Sequence, residues 1–380
     1  MNLELSIEQT DLQLSLRQLL AKECPTSLIR ELRGEGSSGR PERLWSALAD
    51  FGFFGLPFGE NVGGYDLDLL DLGLAYQEAG RTLCPTMIYS TMAFGLALQA
   101  LGTERQRDHW LKRLTAGEVS ASIALWNPSN AGDLRPTVEA ENCSGSWYLS
   151  GIVEFVPNAD VVDVLLVTAR VPSNGDGEST LGFLVEPGRS GLSMKRHRTH
   201  NGDIQCRVAF DNVEINSSDM VVESTGLAGG QLAWLSNVVV GLQCMEMVGG
   251  AQQVLQETVE YTTVRHQFGR PLASFQAVQH RVADMRIAID AARLTALQAM
   301  WSLARGDISD RELVIAKLQA NEAYKFTTLT SHILWGGMGY IVETDLHLWS
   351  ERAKTTELLG GARDVLLARL ERTLDIEVAS

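Results

Sequence analysis

The sequence predicts an α+β chain that is mainly α, with one block of strands set between two helical stretches. Three observations predict it. Apolar residues recur at helical spacing at both ends of the 380 residues. The middle breaks into short runs rich in Val, Ile, Leu and aromatics. Gly, Pro, Asn and Asp separate those runs. At about 150 residues per domain the length allows two or three domains, and the changes of texture divide it into 1–120, 121–223 and 224–380.

In the first segment Leu12, Leu16, Leu19 and Leu20 suit one face of a helix. A glycine-rich break, FGFFGLPFGENVGGYD, precedes a second helical pattern, LDLLDLGLAYQEAG, and Pro85 and Gly102 punctuate the later part of the segment. In the second segment SWYLSGIVEFV, DVLLVTARV, STLGFLVEP and CRVAFDNVEI read as strands. The third segment opens with residues 224–245, which carry no charge and reach membrane-spanning length. They also contain Gln231, Ser236, Asn237 and Gln243, which favours a helix buried inside a folded protein over a membrane span. A long helix comes next in VADMRIAIDAARLTALQAMWSLARG, ended by Gly306.

Composition narrows the function classes. Hydrophobic residues make up 45% and charged residues 21%, as in a folded globular chain. The 32 Lys and Arg against 47 Asp and Glu leave a net charge of −15, which argues against nucleic acid as a partner. Cys24, Cys84, Cys143, Cys206 and Cys244 are scattered and form no CxxC pair, and the seven histidines show no ligand spacing, so no metal site is expected. An acidic N-terminus without a basic start and apolar run, together with these free thiols, points to a reducing cytoplasm.

Four blocks carry a specific resemblance. They are FGFFGLPFGENVGGYDLDLLDLGLAYQEAGRT, LGTERQRDHWLKRLTAGE at 101–118, RHQFGRPLASFQAVQHRVADM at 265–285 and LWGGMGYIVETDLHLWSERAKTTELLGG at 334–361. In content and order they strongly resemble the acyl-CoA dehydrogenase family, over nearly the whole chain. The resemblance implies an N-terminal helical domain, a middle β-barrel-like domain and a C-terminal four-helix bundle. It also implies FAD, an acyl-CoA substrate, electron transfer to an electron-transfer flavoprotein, and an oligomer built as a dimer of dimers.

The positions matching the family's FAD contacts are Arg265, Gln267, Phe268, Leu272, Phe275, Gln276, Gly336 and Gly337. The residue types suit that role. Arg265 can fork onto pyrophosphate oxygens, Gln267 can donate hydrogen bonds, and paired glycines let backbone approach a dinucleotide. Taken alone, Arg265 reads as a solvated cation at a helix end and the glycines as a helix stop; the shared order of motifs favours the cofactor.

The family reaction needs a carboxylate to remove the α proton of the thioester while the flavin takes a hydride from the β carbon. Matching through Arg352, Ala353 and Lys354 places the usual glutamate at Gly360. Some members carry it on the helix before the arginine motif, which here falls at Val239. Neither residue can act as a base. Glu246, two turns beyond Val239 on the same expected helix, is the remaining candidate, set against an interhelix salt bridge. Glu257 and Glu260 read as solvated. Other departures touch the flavin. In WNPSNAGDL (126–134) and FVPN (155–158), Pro157 stands where a threonine would contact the flavin, with Phe155 left as an aromatic wall, and Ile333 replaces a glutamine.

The resemblance and these departures leave three main readings, with a flavin oxidase open beside them. One is a working FAD-dependent acyl-CoA dehydrogenase with a displaced base, acting on an acyl group that subgroup resemblance makes bulky or steroid-derived. Another is a base-less partner in a mixed α2β2 assembly. The last is a non-enzymatic acyl-CoA-binding or scaffold protein.

Overall fold

Local signals start the helices where the sequence places them. In this computed structural model, which describes residues 4–34, 37–127, 133–171, 179–221, 229–307 and 310–374, helix α1 (Ile7–Glu23) opens with a capping box. The Ser6 hydroxyl accepts the Gln9 amide at 3.2 Å, and the Gln9 side chain accepts the Ser6 amide at 3.1 Å. Helices α2 (Thr26–Leu32), α3 (Glu42–Phe51), α4 (Leu69–Arg81) and α5 (Thr86–Leu101) come next, and α6 (Glu104–Thr115) repeats the capping box with Thr103 and Gln106.

The strands are β1 (Ala121–Ala124), β2 (Val138–Cys143), β3 (Ser146–Pro157), β4 (Val164–Val171), β5 (Ser179–Val185), β6 (Leu192–Arg196) and β7 (Gln205–Asn216). They form one mixed sheet in the order β1-β4-β2-β3-β7-β6, with β5 also on β4. Strand β4 therefore has three neighbours: β1 and β2 run parallel to it and β5 antiparallel. The pairing of β3 with β7 slips between Val153 and Val156. Phe155 sits in that slip at φ +59°, with half its surface exposed and its ring 4.8 Å from that of His197.

Helix α7 (Gly229–Val264) is long and apolar enough to cross a membrane, yet 78% of its most apolar stretch is buried within the protein. After it come the short hairpin β8 (His266–Gln267) and β9 (Arg270–Pro271), then α8 (Gln276–Ala304), α9 (Asp310–Trp335), α10 (Leu346–Leu358) and α11 (Arg363–Thr373). Contacts gather these elements into two units. A helical unit comprises Met1–Thr26, Leu69–Cys84 and Asn237–Ser380; a unit containing the sheet comprises Ser27–Asp68 and Pro85–Ser236. The expected boundary at 223 and residues 128–132 of the WNPSNAGDL stretch lie outside the described residues.

Two glycines set the packing of the helical unit. A Cβ on Gly80 of α4 would lie 2.0 Å from the Glu246 carbonyl oxygen, and one on Gly249 of α7 would lie 1.8 Å from that of Gln77. The two helices therefore touch backbone to backbone, which no larger residue permits. On α9 the apolar stripe Leu313, Val314, Ala316 and Ala320 contains a charge, Lys317, with 0% exposure. Its Nζ donates to the Thr356 carbonyl at 2.5 Å and to Gln243 Oε1 at 3.0 Å, joining α9 to α10 and α7. Burial pulls its pKa down to about 8 against the attraction of Cys244, Glu246 and Glu357.

Gly249→Ala is expected to cost about 3 kcal/mol in urea unfolding because two helix backbones must part. Gly230→Ala, which meets no atom within 4 Å, should stay within about 0.5 kcal/mol. Lys317 generates a pH dependence. Unfolded, it titrates near 10.5; folded, near 8. Between those values the unfolded chain binds the extra proton, so stability rises with pH across the window and the gain is lost as pH falls through about 8. Unfolding curves compared with Lys317→Met should show this rise in the wild type only; an equal rise in both would assign it to other groups.

Candidate active site and cofactor-facing surface

The turn after α10 holds Gly360 at φ +76° and Gly361 at φ +115°. A Cβ on Gly360 would lie 2.7 Å from Val240 Cγ2 and 3.5 Å from Gln243 Oε1. The position matched to the family base thus has a left-handed backbone and faces a valine side chain and an amide already bound to Lys317. Val239, the alternative position, is half-buried.

Glu246 is buried and engaged. Arg352 of α10 donates to its Oε1 from Nε at 2.7 Å and from Nη2 at 2.6 Å, with the two side chains 7% and 5% exposed. Arg352 Nη2 also reaches the Cys84 carbonyl at 3.4 Å. The structure thus places Glu246 in an interhelix ion pair. Glu257, expected in solvent, is half-buried: it accepts from Gln253 at 3.1 Å, and burial raises its pKa.

The residues matched to FAD contacts are carried by two features of the helical unit. The first is the hairpin after α7. The Leu272 amide donates to the Arg265 carbonyl at 2.8 Å, and Gln267 pairs with Arg270. Phe268 and Gly269 form the tip, both at positive φ (+52° and +79°), as a type I′ turn requires. That geometry lifts the Phe268 ring 89% into solvent, edge-on to Phe275 at 6.1 Å. The Arg270 guanidinium lies 4.0 Å over the Phe275 ring. Leu272 starts a short 3-10 turn, and Gln276 begins α8, whose N-cap, Phe275, makes no side-chain cap. Arg265 and Gln267 are exposed, and among the described residues the Arg265 guanidinium has no ion-pair partner.

The second feature is the turn Gly336–Tyr340 after α9. Gly336, at φ +59°, and Gly337 are exposed, and a Cβ on either would meet nothing within 4 Å. Tyr261, one turn before Arg265, stacks on Trp335 at 4.3 Å and donates to its carbonyl at 3.3 Å. The hairpin and the glycine turn are therefore anchored at the same end of α7.

A guanidinium, an amide, an uncapped helix start and open glycine backbone are the donor set that a dinucleotide pyrophosphate needs, and they fit FAD at that end. Two positions expected to contact the flavin, Ile333 and Pro157, carry no side-chain donor. Ile333 is 58% exposed and has no side-chain donor. Pro157 ends β3 with its carbonyl accepting from Ser122 Oγ at 2.5 Å, and the Trp126 indole donates to Ser236 at 3.1 Å.

Sequence reasoning named Glu246 and Arg352 without pairing them, because 106 positions separate the partners. It missed Lys317 and the buried His332. For Lys317 a signal existed: one charge inside an otherwise apolar helical stripe.

The chain is similar to known proteins along most of its length. Residues 6–118 match the acyl-CoA dehydrogenase N-terminal domain and residues 241–374 the C-terminal domain. A probable acyl-CoA dehydrogenase of Bacillus subtilis, YngJ, is 27% identical over 98% of this chain and 100% of its own. Among solved structures, a Tcur3481-Tcur3483 steroid ACAD variant is 30% identical over 96% of this chain and 97% of that one, with TM-score 0.85. The ChsE4-ChsE5 complex of Mycobacterium tuberculosis is 25% identical over 98% of each chain, with TM-score 0.88. Domain matches, whole-length relatives and fold agree: this chain belongs to the acyl-CoA dehydrogenase family, FAD-dependent oxidoreductases that introduce an α,β double bond into acyl-CoA thioesters.

Proposed function

We propose that this chain takes part in acyl-CoA α,β-dehydrogenation as the base-less subunit of a mixed assembly, contributing FAD contacts while a homologous partner supplies the carboxylate. One observation carries the reading: the base position is Gly360, held at φ +76° against the Val240 methyls. Val239 offers no carboxylate either. In this reading Glu246 anchors α10 through Arg352 and is not the base.

Arg265 would fork onto the pyrophosphate, Gln267 would donate beside it, and Phe268, Leu272 and Phe275 would supply apolar cover. The Gln276 amide and the Gly336–Gly337 backbone complete the set. FAD, when bound, supplies the hydride acceptor. Exposed Val264, Phe268, Met338, Tyr340 and Val342 give this surface an apolar character that an oligomer would cover. Likeness to a steroid ACAD variant supports a bulky, steroid-like acyl group, and likeness to the ChsE4-ChsE5 complex supports a mixed assembly, which would be α2β2. Electrons would leave through an electron-transfer flavoprotein, as the family implies.

The test is expression alone and together with a homologue that carries glutamate at the position of Gly360 or Val239. Alone, the chain is expected to hold little flavin and to reduce no dye with acyl-CoA. Together, the two should purify in equal numbers with one FAD per pair. A fully flavinated, active homo-oligomer of this chain would overturn the proposal.

Glu246→Gln separates anchor from base. Losing one member of a buried ion pair is expected to cost about 3–5 kcal/mol in urea unfolding, with turnover per folded assembly retained. Unchanged stability with turnover abolished would make Glu246 the base.

A further inference from the structure

The Gly336–Tyr340 turn is open at one end, so something must fix the other. That point is Gly339, which is buried; a Cβ there would lie 3.1 Å from both the His332 carbonyl oxygen and Trp335 Cβ. The Gly339 carbonyl lies 2.7 Å from Nδ1 of His332. A carbonyl only accepts, so Nδ1 carries the hydrogen. Burial lowers the His332 pKa below its usual 6.5, and in the neutral ring Nε2 then accepts the Ser350 hydroxyl at 2.5 Å. Tyr340 closes over the ring, with centroids 5.0 Å apart.

The two ring nitrogens therefore face two different elements. Nδ1 holds the turn that carries the open glycines. Nε2 holds α10, two residues before Arg352 and on the helix that leads to Gly360.

From this juxtaposition we propose that His332 is a positioning residue for FAD: by gripping the Gly339 carbonyl it sets the path of the Gly336–Gly337 backbone and thereby the affinity for the cofactor. The inference rests on the reading that this glycine pair approaches FAD.

Two conservative variants split the roles. In His332→Asn the amide nitrogen can stand near the place of Nδ1 and keep the Gly339 bond. In His332→Gln the longer side chain brings its amide to the place of Nε2 and keeps only the Ser350 bond. In the assembly that binds FAD, flavin fluorescence on dilution should show affinity about tenfold weaker for His332→Gln and close to wild type for His332→Asn. Hydrogen exchange at the amides of 338–342 should accelerate in His332→Gln only. Equal behaviour of the two variants in both measurements would reduce His332 to a packing residue and overturn the proposal. Arg265→Ala and Gly337→Val are the controls for the underlying reading. If they keep full FAD affinity, or if no assembly containing this chain takes up FAD, the cofactor site itself is misassigned. If they lose FAD while His332→Gln keeps it, only the inference about His332 fails.

Discussion

The α4–α7 crossing is the constraint on which the helical unit depends. Gly80 and Gly249 let two helix backbones meet where any Cβ would lie about 2 Å from a carbonyl oxygen. That contact fixes the height of α7 in the unit, and with it Val240, Gln243 and Glu246 on successive turns. Gln243 then meets Lys317 of α9, and Glu246 meets Arg352 of α10. Side chains do not choose these partners independently; the glycine crossing puts them in reach.

Helix α10 receives most of the benefit. It is held at Ser350 by His332, at Arg352 by Glu246 and at the Thr356 carbonyl by Lys317. Each bond is buried or partly buried, and each partner lies on a different turn or helix. Charged and polar groups in an apolar setting are costly unless matched, so these three contacts specify one seat for the helix rather than a general stickiness. The turn carrying Gly360 inherits that precision. The same polar interior explains how a helix as apolar as α7 belongs in a folded protein, since its Gln243 and Glu246 need partners that a lipid environment would not provide.

The sequence made the architecture readable because periodicity is local. Leu16 and Leu20 stand buried on α1 as their spacing requires, and the Val- and Ile-rich runs fall on β3, β4, β5 and β7. The motif order located the arginine hairpin and the glycine turn, and showed that Gly360 and Val239 lack a carboxylate. What sequence could not supply is which distant groups meet. Glu246 was one carboxylate among 47 acidic residues, and only the fold shows that Arg352 occupies it. His332 carried no motif at all; its meaning comes from two hydrogen bonds to residues seven and eighteen positions away. Lys317 was legible in principle, since a lone charge on a buried stripe demands partners, but the partners lie on other helices.

The geometry at Gly360 bears on how such a chain evolves. Glycine and glutamate codons can differ by one nucleotide, so the loss of a catalytic carboxylate looks easily reversed. Here the backbone at that position stands at φ +76°, and a Cβ there would lie 2.7 Å from Val240 Cγ2. A returning glutamate would meet a strained backbone and an occupied site, and would recover nothing until the turn and the valine also changed. If the chain works as the base-less subunit proposed above, it depends on the chain that carries the carboxylate, and a single codon change would not restore independence.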